Sequence, residues 1–203
     1  MGIGRTSTTG IALALLAIGL ASCGGNPPPP LPGTTRGAPP DLRGRRVIVL
    51  PVQQNLGVAG DIDAEMAFGL QDKTREVTWI LDAEVQEILR RSPGISAGTR
   101  GLPVGHFLLA EVQRVGEPLY GNFRRMSALV DAGMILLPVQ AVVSAVEGED
   151  PRVELAVALI DSRTGRVEWF AIVEGGAFPA GDPRGIASAV DALARRLLWY
   201  VGV

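Results

Sequence analysis

The feature that most narrows what this chain can fold into is a short apolar run, Ile11 to Ala21, followed after one serine by the only cysteine, Cys23. Residues 1–10 before it are polar and carry Arg5. At about 11 residues the run is far short of the roughly 20 needed for a helix to cross the hydrocarbon core. It fits the apolar region of a secretory signal, so residues 1–22 read as a signal peptide and the fold is sought downstream. A lone cysteine makes no internal disulfide. An exported domain of this kind must therefore draw its stability from its core.

The next stretch narrows the search again. Gly24 to Pro40 reads GGNPPPPLPGTTRGAPP, with prolines at 27–30, 32, 39 and 40. Proline removes backbone donors and favours polyproline II, so residues 23–41 are expected to form a tether without a packed core. At about 3.1 Å per residue such a segment reaches roughly 50 Å. Residues 42–203 remain for a single domain, and 47% hydrophobic content across the 203-residue chain is enough for a sizeable core. The formal net charge is −2, and Lys73 is the only lysine, so arginine supplies nearly all the positive charge. That balance argues against nucleic acid, which needs a concentrated basic surface.

Taken in order, Arg46 to Val52 (RVIVLPV) predicts a buried strand ended near Pro51. Asp61 or Asp63 is placed to cap a helix carrying Ile62, Met66 and Leu70. Glu76 to Leu81 predicts a second strand, and Asp82 the cap of a helix through about Arg91 with Val85, Ile88 and Leu89 as its stripe. His106 to Val115 (HFLLAEVQRV) reads as a third strand, and Asn122 to about Gly133 as a helix. Met134 to Val146 is a long apolar strand containing Pro138, which lacks a ladder donor and so predicts an edge or a bulge. Val153 to Ile160 and Arg166 to Val173 are the clearest strands, joined by a turn with Gly165 expected at positive φ. Asp182 and Pro183 open a final helix with Ile186, Val190, Leu193 and Leu197 on one side. The fold class expected is α/β: a mixed sheet with flanking helices, in which strand–helix repeats are followed by an antiparallel hairpin and a C-terminal helix.

The residues capable of chemistry are sparse. Asp61, Asp63 and Glu65 alternate, but a calcium loop needs glycine where Met66 stands and glutamate where Asp72 stands, so they read as helix-start acids. His106 is the only histidine and has no partner in sequence for a triad or a zinc site. The glycine loop 175–181 precedes a helix, but Asp182 fills the cap and would repel an anion. Arg43, Arg45 and Arg46 read as a solvated strand flank, with contact to anionic headgroups as the alternative. Trp199 and Tyr200 either finish the core or sit at a membrane interface. No catalytic residue, metal site, cofactor or small-molecule substrate is inferred; a hydrolase would have only scattered acids such as Asp61 and Asp63, with nothing to orient them.

Two resemblances add to this reading. Leu20, Ala21, Ser22 and Cys23 resemble the bacterial lipoprotein signal box, with the right context on both sides. That resemblance implies a diacylglyceryl thioether on Cys23, cleavage before it, and acylation (palmitate or a similar chain) of the new amine. An ordinary signal peptide leaving a free thiol is the alternative. Two or more chains anchor stably where one is marginal. Gly24 in place of aspartate resembles the outer-membrane sorting pattern. Further on, RVIVLPV, the pair VTWILDAEVQEILRR and the hairpin from Leu159 to Trp169 look like the α/β domain shared by the curli-export lipoprotein CsgG, the peptidoglycan-synthase activator LpoB and the TolB amino-terminal domain. The segment Asn122 to Gln140 departs from that pattern, with an extra helix and Leu-Leu-Pro. Together the resemblances imply a lipid-anchored outer-membrane lipoprotein facing the periplasm, whose non-enzymatic domain meets an unknown periplasmic protein partner. A subunit of an outer-membrane secretion or assembly ring of the curli-export type is the second expectation.

Overall fold

The computed structural model describes residues 33–109, 112–145 and 147–201. They form one open, mixed seven-stranded sheet covered by helices on both faces. The strands are β1 (Gly33–Arg36), β2 (Arg46–Val49), β3 (Gln54–Leu56), β4 (Thr78–Leu81), β5 (Met134–Ser144), β6 (Arg152–Asp161) and β7 (Val167–Ala177). Their order is β1-β7-β6-β5-β2-β4, with β3 pairing β5 beyond the end of β2. β2 pairs in parallel with both β4 and β5, β3 runs parallel to β5, and β5, β6, β7 and β1 are antiparallel neighbours. The expected order, parallel early and meandering late, is what the sheet shows.

Helices α1 (Ile62–Lys73) and α5 (Pro183–Leu197) cover one face. Ile62, Met66 and Leu70 bury against it, as do Ile186, Val190, Leu193 and Leu197, the predicted stripes of both helices. They meet alternate residues of the hairpin strands, Leu155, Val157 and Leu159 from β6 and Trp169, Ala171 and Val173 from β7, all fully or nearly fully buried. On the other face lie α2 (Asp82–Arg90), the single turn α3 (His106–Leu109) and α4 (Leu119–Val130), whose Val85, Phe107, Phe123 and Met126 pack on Ile48, Ile135, Leu137 and Ala158. Truncating one of these buried aliphatic side chains to alanine costs about 2–5 kcal/mol in comparable cores.

The sheet corrects several local expectations. Gly33 to Arg36 fall in the segment expected to carry no packed structure, yet they pair with Phe170 to Val173 as an edge strand. The prolines flank this piece and do not interrupt it, and the glycines at either end allow the close approach. A Cβ on Gly33, at φ 106°, would lie 2.0 Å from the Ile172 carbonyl oxygen. Arg196 of α5 reaches across the strand to Thr35 Oγ1 and the Ile172 carbonyl, each at 3.1 Å. The expected strand from His106 is instead a helical turn. Phe107 and Leu108 donate backward to Val104 and Gly105, and among the described residues of the segment only Arg114 bridges, to Arg166. Short apolar runs do not separate helix from strand by periodicity alone.

Pro138 sits in a central strand, not at an edge, and the register against β6 shifts between Pro138 and Gln140. Its carbonyl accepts from Gln53 N at 3.0 Å, across the gap where β2 has ended and β3 has not begun. The donor-less nitrogen of Pro138 faces the same side, so it leaves the pairing with β6 its donors. Asp82 is not the cap of α2: β4 runs straight into the helix, Leu81 takes the cap position and Asp82 the first turn. α4 starts three residues before the expected Asn122, which is buried and clamps Gly98 through both its amide and its carbonyl. Asp182 caps α5 with Pro183 in its first turn, and Gly165 has φ 70°, as expected. Val167 packs on the face opposite Trp169, although two positions from it in the strand, because the β6–β7 register shifts at Leu159 and Ile160.

Candidate functional site

Leu20, Ala21, Ser22 and Cys23 lie outside the described residues. The remaining candidates fall at two opposite ends of the sheet. At the carboxyl ends of β2 and β4, the amino-terminal turns of α1 and α2 converge on a crevice of about 260 Å³. Asp61 caps α1, accepting from Ala64 N at 2.9 Å. Asp63 accepts from Val52 N at 2.8 Å with one oxygen and from Arg100 at 3.1 Å with the other. Arg100 also reaches Asp82 at 3.3 Å, and the same Asp82 oxygen accepts from Gln86 at 2.8 Å. The second Asp82 oxygen is shielded from solvent without a partner. Arg100 thus bridges the two helix starts across the crevice. In parallel sheets ligands bind at this end of the strands; here Arg100 spans it between Asp63 and Asp82.

At the other end, a wider open cleft of about 530 Å³ lies where β2 and β5 begin, β6 ends and α4 terminates. Arg45, Arg46, Arg124 and Arg163 line it, with Asp131 as the only acid among its described lining residues. Arg46 donates to the Val130 carbonyl at 2.9 Å, closing the carboxyl end of α4, where a cation complements the helix dipole. Asp131 turns the chain out of α4 in the left-handed region, at φ 49°. Ser162 fastens the floor, its hydroxyl donating to Ala132 O at 2.9 Å. Ser127 also lines the cleft; it is 6% exposed, and its Oγ has no hydrogen-bond partner. Asp161 does not face the cleft as a free carboxylate. It is taken up by the hairpin turn, accepting from Arg163 N and Thr164 N.

The other singled-out residues have structural surroundings. His106 opens α3 with its ring 4.6 Å from that of Phe107. Among the described residues no three His, Cys, Asp or Glu side chains are grouped to hold a metal ion. β7 extends into the glycine loop as far as Ala177, and Asp182 is held by the Arg184 side chain and amide, which pull its carboxyl below the usual carboxylate range. Trp199 is 61% exposed and donates to the Pro39 carbonyl at 3.1 Å, while Tyr200 packs against the core with Arg43 over its ring. Arg43 itself turns to Asp41, so the three arginines of the strand flank divide: one joins an ion pair and two enter the cleft. Sequence reasoning misses Arg124, Ser127 and Arg163 because they lie far from Arg45 and meet it only through the β2–β5 pairing.

No family model matches the chain, and no curated protein matches it. Among solved structures it is similar to the PelC dodecamer from Paraburkholderia phytofirmans (19% identity, TM-score 0.43, covering 82% of this chain and 96% of that one). It is similar to the LpoB C-terminal domain from Escherichia coli (15% identity, TM-score 0.44, 68% and 87% covered). It is also similar to the lipoprotein GNA1162 from Neisseria meningitidis (13% identity, TM-score 0.39, 64% and 81% covered). LpoB is one of the proteins whose domain the sequence resembles. Identities this low and superpositions this loose carry no functional weight. No helix among the described residues is long and apolar enough to cross a membrane.

Proposed function

We propose that this is a lipid-anchored lipoprotein of the bacterial cell envelope, held in the outer membrane through Cys23, with its α/β domain facing the periplasm as a non-enzymatic protein-interaction module. The observation that carries the reading is the box Leu20-Ala21-Ser22-Cys23 at the end of an apolar run too short to span a bilayer. The sheet supports a consequence. Because β1 begins at Gly33, only residues 24–32 separate the anchor from the folded domain. Fully extended, the ten steps from Cys23 to Gly33 span at most about 36 Å, less than the roughly 50 Å of a spacer that ran to Pro40. In the carboxyl-end crevice Arg100 pairs with both Asp63 and Asp82, which supports the non-enzymatic part.

Metabolic labelling with a fatty-acid analogue tests the anchor. The wild-type chain takes the label, and Cys23→Ala abolishes it; label that survives the substitution, or a wild-type chain without label, overturns the reading. Cross-linking in intact envelopes followed by pull-down tests the module: a specific protein partner that depends on residues 42–203 is expected, and none at all overturns that part.

A further inference from the structure

Arg45, Arg46, Arg124 and Arg163 come from three separate parts of the chain, the entry to β2, the middle of α4 and the β6–β7 turn, and they converge on one cleft. Away from the cleft, Arg36 and Arg125 meet backbone carbonyls, while Arg100, Arg152, Arg166, Arg184 and Arg195 each lie against a carboxylate. Among the described residues none of the four cleft arginines does. Arg45 and Arg46 donate to backbone carbonyls, Arg124 lies over the Tyr120 ring, and the Arg163 guanidinium has no partner among those residues. Four cations face a single acid, Asp131.

We propose that this cleft binds a phosphate group carried on a phosphoester or a phospholipid headgroup. Guanidinium forks match phosphate oxygens two at a time, in a monoester with three terminal oxygens as in a diester with two, and several forks around one point suit such a group. Ser127 lines the cleft wall, and its hydroxyl is shielded there without a hydrogen-bond partner. Gly44 and Gly133 leave the rim open, since a Cβ on either would meet nothing within 4 Å. The volume, about 530 Å³, falls within the roughly 300–1,000 Å³ of ligand clefts and is more than one phosphate fills, so the ligand carries further atoms.

The test is calorimetric titration of the purified full chain with inorganic phosphate, with short-chain phosphatidylglycerol below its micellar concentration, and with chloride at matched ionic strength. Saturable binding of phosphate or of phosphatidylglycerol is expected, weakened at least tenfold in the double variant Arg124→Glu/Arg163→Glu. Phosphatidylglycerol binding well ahead of inorganic phosphate assigns the lipid headgroup; equal binding assigns a soluble phosphoester. The proposal is overturned if neither probe binds, if chloride reproduces the effect, if the double variant binds as wild type with an unchanged melting temperature, or if a poly-glutamate peptide binds where both phosphate probes fail. The outcome is independent of the Cys23 labelling result, so the two readings fail separately.

Discussion

The two ends of the sheet handle charge in opposite ways. At the carboxyl end, Asp63, Arg100 and Asp82 knit two helix starts together, and Asp63 also satisfies the Val52 amide. At the amino end, the arginines outnumber the acids, and apart from the seal that Arg46 makes on α4 they hold little of the fold together. The contrast separates charges that serve stability from charges left over for a ligand. A self-paired network is indifferent to what is dissolved around the protein, whereas an unpaired cluster of one sign raises the local concentration of its counter-ion.

The largest effect that bears on the contrast is at Asp63. Asp63→Ala leaves the Val52 amide without an acceptor and Arg100 without one of its two carboxylates, and it should cost about 1–3 kcal/mol in urea denaturation. Asp63→Asn keeps an acceptor for the amide and loses only an exposed ion pair, so its cost should stay below about 1 kcal/mol. Equal losses in the two variants would show that the ion pair, not the amide, holds the crevice. Next comes Arg46→Gln at the opposite end, which removes the cation from the last turn of α4. A loss of about 1 kcal/mol is expected. A negligible loss would make Arg46 a ligand-facing arginine like its neighbours.

What is legible in the sequence follows the same division between local and distant. The caps and stripes of α1 and α5 and the Gly165 turn are set by residues within a few positions of one another, and the structure shows each where the sequence predicts it. β1 is hidden because Thr34 and Thr35 sit among prolines, and its pairing with β7 spans more than 130 residues. The turn at His106 is hidden because HFLLAEV is apolar in both periods and its carboxyl-terminal side alone reaches the sheet. The arginine cleft is hidden for the reason β1 is. Arg45 and Arg46 are visible as a pair, but nothing local connects them to Arg124 or Arg163, which arrive through parallel strand pairing and the length of α4.

A smaller effect concerns the acids that the carboxyl end does not pair. Glu154 and Glu174 stand directly opposite each other on β6 and β7. Burial first, and then the Glu174 charge, push the Glu154 carboxyl above its ordinary value of 4.5. A carboxyl raised on folding contributes stability that is full below that ordinary value and is lost as pH rises through the raised one. The wild-type chain should therefore lose part of its stability between about pH 4.5 and neutrality. Glu154→Gln should flatten that slope and melt slightly higher at neutral pH, and Glu174→Gln should recover part of the same gain. A slope unchanged in Glu154→Gln would place its origin elsewhere.

The smallest stability effects are expected at the amino end, and their smallness is what distinguishes a ligand cleft from a structural network. Ser127→Ala removes a buried hydroxyl with no partner, so thermal unfolding in phosphate-free buffer should show no loss and a gain of up to about 1 kcal/mol. Arg124→Ala and Arg163→Ala remove exposed guanidinium groups without carboxylate partners and should each stay within about 0.5 kcal/mol of wild type. The comparison breaks if either arginine variant loses more than about 1 kcal/mol, because that arginine would then be holding the fold as Asp63 does. It sharpens if the two arginine variants melt like wild type without phosphate and fall behind it when phosphate is added, since only a group that meets the ligand changes stability in a ligand-dependent way.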